Sequence, residues 1–315
     1  MALTSSFPRK LALRGRRRPS GTMHRTRSLV RGCVALAAPL ALAACVSLPL
    51  EPRALMDAPG GMRVIGFDCA GALATARSAP PPQGKPLDPD AIRILTWNIH
   101  KQEDDGWEQD LTRFAASSDV LLLQEVALED SLQAILRGAG LRFVMGSSFS
   151  YNYAEFGVLT ATRGAPVAAC TQRIEEPLIL IPKSAVIAWL PLSGTPHTLA
   201  VANVHSINFS LSLDAYEAQL EALADVLARH EGPILLGGDL NTWSQARRDA
   251  VDRIARRLGL VEIPYAEDGR TLFLDNQVDH LLVRGLVVTS SRTTAVTSSD
   301  HNPAGAVLRL APVAP

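Results

Sequence analysis

The chain has 315 residues, 47% of them apolar and 20% charged, with a formal net charge of zero. That balance excludes an intrinsically disordered chain and leaves room for one large globular domain or two small ones. The neutral total conceals an asymmetry. Residues 1–87 hold 13 basic and 3 acidic side chains, whereas from Asp88 onward 18 basic face 28 acidic, a difference of −10.

The first predicted element is a targeting segment over residues 1–45. Arg25, Arg27 and Arg31 precede an apolar run from Val34 to Ala44, interrupted by Pro39, which is the pattern of a secretory signal. The run is shorter than the roughly 20 apolar residues that cross a membrane. Met23 opens a signal of ideal length. Leu42-Ala43-Ala44-Cys45 resembles the bacterial lipoprotein box, and the resemblance implies a lipid on Cys45. Val46 after it points to the periplasmic face of an outer membrane. The expected location is therefore an exported, lipid-anchored position in a bacterial cell envelope. Cys33 leaves with such a signal. Cys69 and Cys170 remain, either as a disulfide in an oxidising compartment or as two buried thiols.

Residues 46–87 contain Pro59-Gly60-Gly61 and Pro80-Pro81-Pro82 and read as a tether with little packed core. A short edge strand is expected within residues 62–68. Residues 88–315 then form the main domain, an α/β arrangement of alternating strands and helices. Strands are expected at 92–97, 120–123, 156–160, 185–190, 199–204, 234–236, 278–283 and 304–310. Trp107, Leu111 and Phe114 recur at helical spacing, as do Leu132, Ile135 and Leu136. Asp214 and Glu217 read as a capping box opening a helix with Tyr216, Leu220, Leu223 and Leu227 on one face. A last helix is expected at 244–258. The short connections suggest two sheets packed face to face and covered by helices.

The apolar strands end in polar residues. Leu95-Thr96-Trp97 runs into Asn98, Leu121-Leu122-Leu123 into Gln124-Glu125, and Val201-Ala202-Asn203-Val204 into His205. Leu235-Leu236-Gly237-Gly238 runs into Asp239 and Asn241, Val278 into Asp279, and Ser298-Ser299 into Asp300-His301. A charge at a buried strand end is costly unless paired or metal-bound, so six such endings in one domain imply a shared site. Glu125 and Asn98 are hard oxygen ligands suited to Mg²⁺, and two histidines suit acid–base work near neutrality. Hydrolysis of a phosphoester needs these functions together.

In order along the chain, Thr96-Trp97-Asn98-Ile99-His100-Lys101, Leu123-Gln124-Glu125-Val126, Asn203-Val204-His205, Gly238-Asp239-Leu240-Asn241, Val278-Asp279-His280 and Ser299-Asp300-His301-Asn302-Pro303 resemble the motifs of the endonuclease/exonuclease/phosphatase, or DNase I-like, family. The resemblance spans roughly Ala91 to Leu310. It implies a four-layered α/β sandwich of two packed mixed β-sheets flanked by helices, and use of Mg²⁺ or Mn²⁺. Carried over by position, it implies Glu125, Asn98 and Asp300 at the metal. His205, Asp239, Asn241, Asp279 and His301 would be catalytic. Asp239 would position or activate water, and His301, held by Asp279, would serve as base or electrophile. Lys101 and Asn208 are taken as substrate contacts, Lys101 being equally readable as a solvated lysine. His100 and His280 read as scaffold or rim, and Tyr151 and Tyr153 as packing.

The expected reaction is hydrolysis of a phosphodiester by an activated water. The abasic-site repair branch is set aside, because by the resemblance it lacks a histidine at the position of His205, and because DNA repair conflicts with an export signal. Alternatives are a secreted or surface nuclease acting on DNA or RNA, a phosphomonoesterase on a lipid or sugar phosphate, and a catalytically dead binding lipoprotein. The acidic balance argues against a dedicated polyanion binder, which favours basic stripes, so nucleic acid enters as a substrate only. A monomer is expected, touching the membrane through its lipid.

Overall fold

The computed structural model describes residues 46–48, 53–66, 68–78 and 84–312. The signal segment and Cys45 lie outside the described residues. In chain order the strands and helices are β1 (Val46–Ser47), β2 (Ala54–Ala58), β3 (Gly61–Ile65), α1 (Cys69–Arg77), β4 (Ile92–Asn98), α2 (Trp107–Ser117), β5 (Val120–Ala127), α3 (Asp130–Gly138), β6 (Arg142–Tyr151) and β7 (Ala154–Thr162). Then follow β8 (Ala168–Glu175), β9 (Pro182–Pro191), β10 (Thr198–His205), α4 (Asp214–Leu227), β11 (Ile234–Asp239), α5 (Gln245–Leu258), β12 (Val261–Glu262), β13 (Leu272–Phe273), β14 (Asn276–Gln277), β15 (Asp279–Arg284), β16 (Leu286–Thr293) and β17 (Ala304–Leu310). One sheet runs β16-β17-β4-β5-β7-β6-β2-β3, with β1 beside β6, and the second runs β12-β15-β11-β10-β9-β8. Both are mixed: β4 pairs β5 in parallel, and β10 pairs β11 in parallel, among antiparallel neighbours.

The four layers follow from the two-residue period of a strand. On β5, Val120 and Leu122 face the second sheet and pack with Val186, Val201 and Leu235. Leu121 and Leu123 face the other way, joining Leu111 and Phe114 of α2 and Leu132 of α3. The outer face of the second sheet presents Ile187, Ala202 and Leu236 to Leu73 of α1, Tyr216 of α4 and Ile254 of α5. Strands buried on both faces are apolar along their whole length, which makes them legible in the sequence.

Several elements differ from expectation. The stretch read as a tether is partly packed domain. β2 pairs with β6 and puts Ala54 and Leu55 into the core, and α1 covers the second sheet. Cys69 of α1 is bonded to Cys170 of β8, with Cα atoms 5.1 Å apart, so the disulfide alternative holds. This clasp accounts for how a small Gly- and Ala-rich helix is held against the sheet. β3 is the expected edge strand. Asp214 does not cap α4. Leu213 occupies the N-cap without a side-chain bond, and Glu217 instead pairs with Arg253 of α5. β6, β8 and β16 escape the sequence pattern. Gly146, Ser147 and Ser148 interrupt the apolar run of β6, and β16 carries Thr289-Ser290-Ser291-Arg292 at a sheet edge.

Candidate active site

Strand register assembles the site. Parallel pairing sets His205 of β10 opposite Asp239 of β11, and antiparallel pairing sets Asp239 opposite Asp279 of β15. Three residues far apart in sequence thus form one row across three adjacent strands. Two glycines permit the close approach. Gly238 has φ +133°, and a Cβ there would strike the Val204 carbonyl; one at Gly237 would strike Leu281 and the His280 carbonyl. From the other sheet, Asn98 ends β4 and its Nδ2 donates to Asp239 Oδ2 at 3.1 Å.

Glu125 reaches the site by breaking its strand. On the pleat it would follow Leu121 and Leu123 to the helix-covered face. Instead the register of β5 with β7 shifts between Leu123 and Val126, and Glu125 takes φ +53°. This bulge re-aims the carboxylate into the cleft. Its Oε1 lies 3.7 Å from His205 Nε2, and Lys101 Nζ sits 2.6 Å from Oε2. Beneath it the inter-sheet layer turns from aliphatic to amide. Gln124 Nε2 donates to Asn203 Oδ1 at 2.8 Å, and Asn203 Nδ2 donates to the Leu123 and Leu159 carbonyls at 3.2 and 3.0 Å. These buried bonds lock the two sheets together where the polar tips emerge.

The loop before β17 closes the site. Ser299 Oγ donates to the Asn98 carbonyl at 2.7 Å, and Trp97 Nε1 donates to the His301 carbonyl at 3.0 Å. His301 Nδ1 then meets Asp279 Oδ2 at 2.7 Å. Asn241, at φ +49°, donates its amide N–H to Asp239 Oδ1 at 3.0 Å and its Nδ2 to the Ser206 carbonyl at 3.0 Å. Asparagine tolerates that left-handed conformation better than most residues. Asp239 is therefore held from two sides.

Electrostatics differentiates the two histidines. Burial and the nearby Lys183 ammonium bring His205 down to about 4, overriding Asp239 and Glu125. The ring is neutral at neutral pH. Burial also opposes the charged form of His301, but Asp279, with help from Asp239 and Asp300, outweighs it and raises the ring to about 10. His301 is an imidazolium. Burial would raise Glu125, yet His205, Lys183 and Lys101 bring it down to about 2. Because His205 is itself uncharged at neutral pH, the two lysines are what keep Glu125 ionised there.

Asn98, Glu125, His205, Asp239, Asn241, Asp279 and His301 thus share one cleft. Asp300 does not join it. Its side chain is 61% exposed, 3.9 Å from His100 Nδ1 at the rim. Asn208 is held by Trp243, whose Nε1 donates to Asn208 Oδ1 at 3.0 Å. His280 is buried scaffold bonded to Glu262 at 2.6 Å, and His100 is rim, 2.7 Å from Asp104. Tyr151 and Tyr153, read as packing, are exposed beside the hairpin turn between β6 and β7. Lys183 is a site residue that the strand-end pattern does not reveal. Its Nζ lies 2.9 Å from His205 Nε2, and behind it the fully buried Glu176 accepts the Asn208 amide at 2.6 Å. A signal existed: from Asp88 onward the chain has only two lysines, Lys101 and Lys183, and both lie in the cleft.

The donor set suits a hard divalent cation. Asp239, Asp279 and His301 bring one ligand atom each within 4.8 Å of one another, and Asp279 Oδ1 is buried without a hydrogen-bond partner. Glu125 and Asn98 add hard oxygen atoms of the kind Mg²⁺ takes, on the other side of His205 and Asp239.

Comparison with known proteins agrees with this geometry. The family model described as "Endonuclease/Exonuclease/phosphatase family" matches residues 95–301. A UPF0294 protein of Vibrio campbellii (strain ATCC BAA-1116) is 37% identical over 223 residues, which covers 70% of this chain and 79% of that protein. Among solved structures, the human Nocturnin catalytic domain with bound sulfate anion superposes with a TM-score of 0.57 at 19% identity, covering 72% of this chain and 96% of its own. A mannosyl-6-phosphatase of Bacteroides thetaiotaomicron VPI-5482 does so with a TM-score of 0.53 at 17% identity, over 69% of this chain and 99% of its own. At such identities the likeness concerns the fold.

Proposed function

Because the chain belongs to the endonuclease/exonuclease/phosphatase family, and so to the phosphoester hydrolases, we propose that it is a divalent-metal-dependent phosphodiesterase. The observation that carries this reading is the row His205–Asp239–Asp279 set by strand register, with His301 locked on Asp279. Asp239, its carboxylate oriented by Asn98 and the Asn241 amide, aligns water for in-line attack and takes up its proton as the opposite P–O bond breaks, and the departing alkoxide takes a proton from solvent. The His301 imidazolium donates to a non-bridging phosphoryl oxygen. Neutral His205 accepts from Lys183 and holds that ammonium at the cleft, where it balances the anionic substrate. Glu125 and Asn98 would hold Mg²⁺ or Mn²⁺, which when bound relieves charge on the phosphoryl oxygens.

A diester fits this site better than a monoester, since the cationic groups are few and already matched. Lys101 is paired with Glu125, and Lys183 lies 4.0 Å from Glu176, leaving little surplus charge for a dianion. The test is hydrolysis of bis-p-nitrophenyl phosphate by the full chain. Turnover should appear with Mg²⁺ or Mn²⁺ and vanish with EDTA. Equal turnover in EDTA sinks metal dependence, and none under any divalent ion leaves the binding-protein alternative standing.

We further propose that the chain is exported and lipid-anchored through Cys45 on the periplasmic face of an outer membrane. The support is the sequence of residues 25–46 and the disulfide, which persists in oxidising compartments. Cys45→Ser should move the protein from the membrane pellet to the soluble fraction; unchanged partitioning refutes the anchor.

A further inference from the structure

Beside the catalytic carboxylates the cleft opens into a cavity of about 230 Å³ that the hydrolytic scheme does not use. One end is polar and shared with the site, through Lys101, Glu125, Lys183 and His205. Glu176 also lies at the polar end, and the rest is walled mainly by Phe149, Phe156, Ile179, Ile181, Pro182 and Phe209. Phe149 and Phe156 stack face to face, with centroids 5.0 Å apart and rings 3° from parallel. The wall offers a ligand almost no hydrogen bonds: the Ser148 and Ser184 hydroxyls are satisfied by each other at 2.8 Å.

The apolar character continues outward. Ile179 is 44% exposed, Phe209 52% and Leu211 93%, and Leu178 and Leu180 of the same loops are also exposed. Leu180 adopts φ +58°, a conformation unfavourable for leucine, in the loop that brings Ile179 to the cavity. Exposed apolar side chains that line the mouth of a pocket, as Ile179 and Phe209 do, mark a ligand or interaction site.

We infer that the substrate is an amphiphilic phosphodiester, with its phosphate beside Lys183 and His205 and an alkyl chain along this cavity. The inference rests on the phosphodiester reading above and names its substrate class. An alkyl chain fits better than a nucleobase, because a base edge requires both donors and acceptors, and among the described residues the only charged acceptor lining the cavity besides Glu125 is the Glu176 carboxylate, beside Lys183. Nucleic acid is disfavoured a second time by charge. From Asp88 onward the balance is −10, and each cleft lysine already faces a carboxylate. A zwitterionic phospholipid headgroup meets no such repulsion.

The test uses methyl n-alkyl phosphate diesters, with the alkyl group running from methyl to octyl, as competitive inhibitors of bis-p-nitrophenyl phosphate hydrolysis, with the full chain in detergent-free buffer. The inhibition constant should fall about fourfold per added methylene until the cavity is filled, as expected for removing a CH₂ from water. In an Ile179→Asn, Phe149→Ser double variant the octyl-to-methyl ratio should collapse toward one. A flat series with active wild-type protein overturns the alkyl site alone, as does tighter inhibition by the methyl diester of thymidine 5′-phosphate than by methyl octyl phosphate. Absence of any hydrolysis overturns the phosphodiesterase reading itself and this inference with it.

Discussion

Asp239→Asn is expected to lower kcat/KM for bis-p-nitrophenyl phosphate by about 10²- to 10⁴-fold, the range for loss of a positioned acid–base group. The carboxylate is 3% exposed and accepts at both oxygens, from Asn98 and from Asn241, so an amide of the same shape fills its place but turns its NH2 group toward one of those two donors and loses that hydrogen bond. Stability should fall by no more than about 2 kcal/mol, the scale of one buried donor left without its acceptor. Asp239 shares the cleft with Glu125, across His205, and with Asp279 on the neighbouring strand, so relief of repulsion among these carboxylates offsets part of the lost attraction to the His301 imidazolium. The pair of measurements is steady-state kinetics and a urea melt. If turnover stays within a factor of ten, water activation must be assigned to another group. If activity is lost together with several kcal/mol of stability, the residue is a scaffold and the kinetic loss says nothing of chemistry.

Replacing both disulfide cysteines, Cys69→Ala with Cys170→Ala, is expected to cost about 2–5 kcal/mol of unfolding free energy. The two residues are 101 apart in sequence, for which the chain-entropy relation gives about 4.7 kcal/mol. Alanine is the right probe because Cys170 is fully buried and a serine hydroxyl there would add a cost of its own. The loss should be read as a lower urea midpoint at constant slope, and dithiothreitol should bring the wild-type protein to the same midpoint. Activity of the folded fraction should persist, since β8 and β9 remain joined by their backbone ladder and β9 still presents Lys183. A midpoint shift worth less than about 1 kcal/mol would mean that α1 is held by Leu73 and Ala76 alone.

The polar strand tips stand out in the amino-acid sequence, and their pattern points to Asn98, Glu125, His205, Asp239, Asn241, Asp279 and His301, all of which share the cleft. A strand buried on both faces must be apolar along its length, so a polar residue at its end is conspicuous locally. Other features leave no such local trace. Asp300 sits beside His301 in its motif, but the turn that aims His301 inward leaves Asp300 at the rim. Lys183 begins an apolar strand at its opposite end, where a lysine is unremarkable as a solvated flank. The cavity is built from β6, β7 and the loops at 176–181 and 206–213, whose exposed leucines and phenylalanine read in sequence as ordinary loop residues.

By itself, then, the amino-acid sequence determined the alternation of layers, the family and the chemical types at the strand ends, since these depend on periodicity and on the cost of burying charge. Only the tertiary structure decided which tips face one another, that Glu125 leaves its pleat through a bulge, that Cys69 reaches Cys170, and that both lysines and an apolar cavity border the carboxylates. Each of those facts joins residues brought together by sheet register or loop closure. Such contacts are fixed by the packing of the whole domain, and no window along the chain contains them.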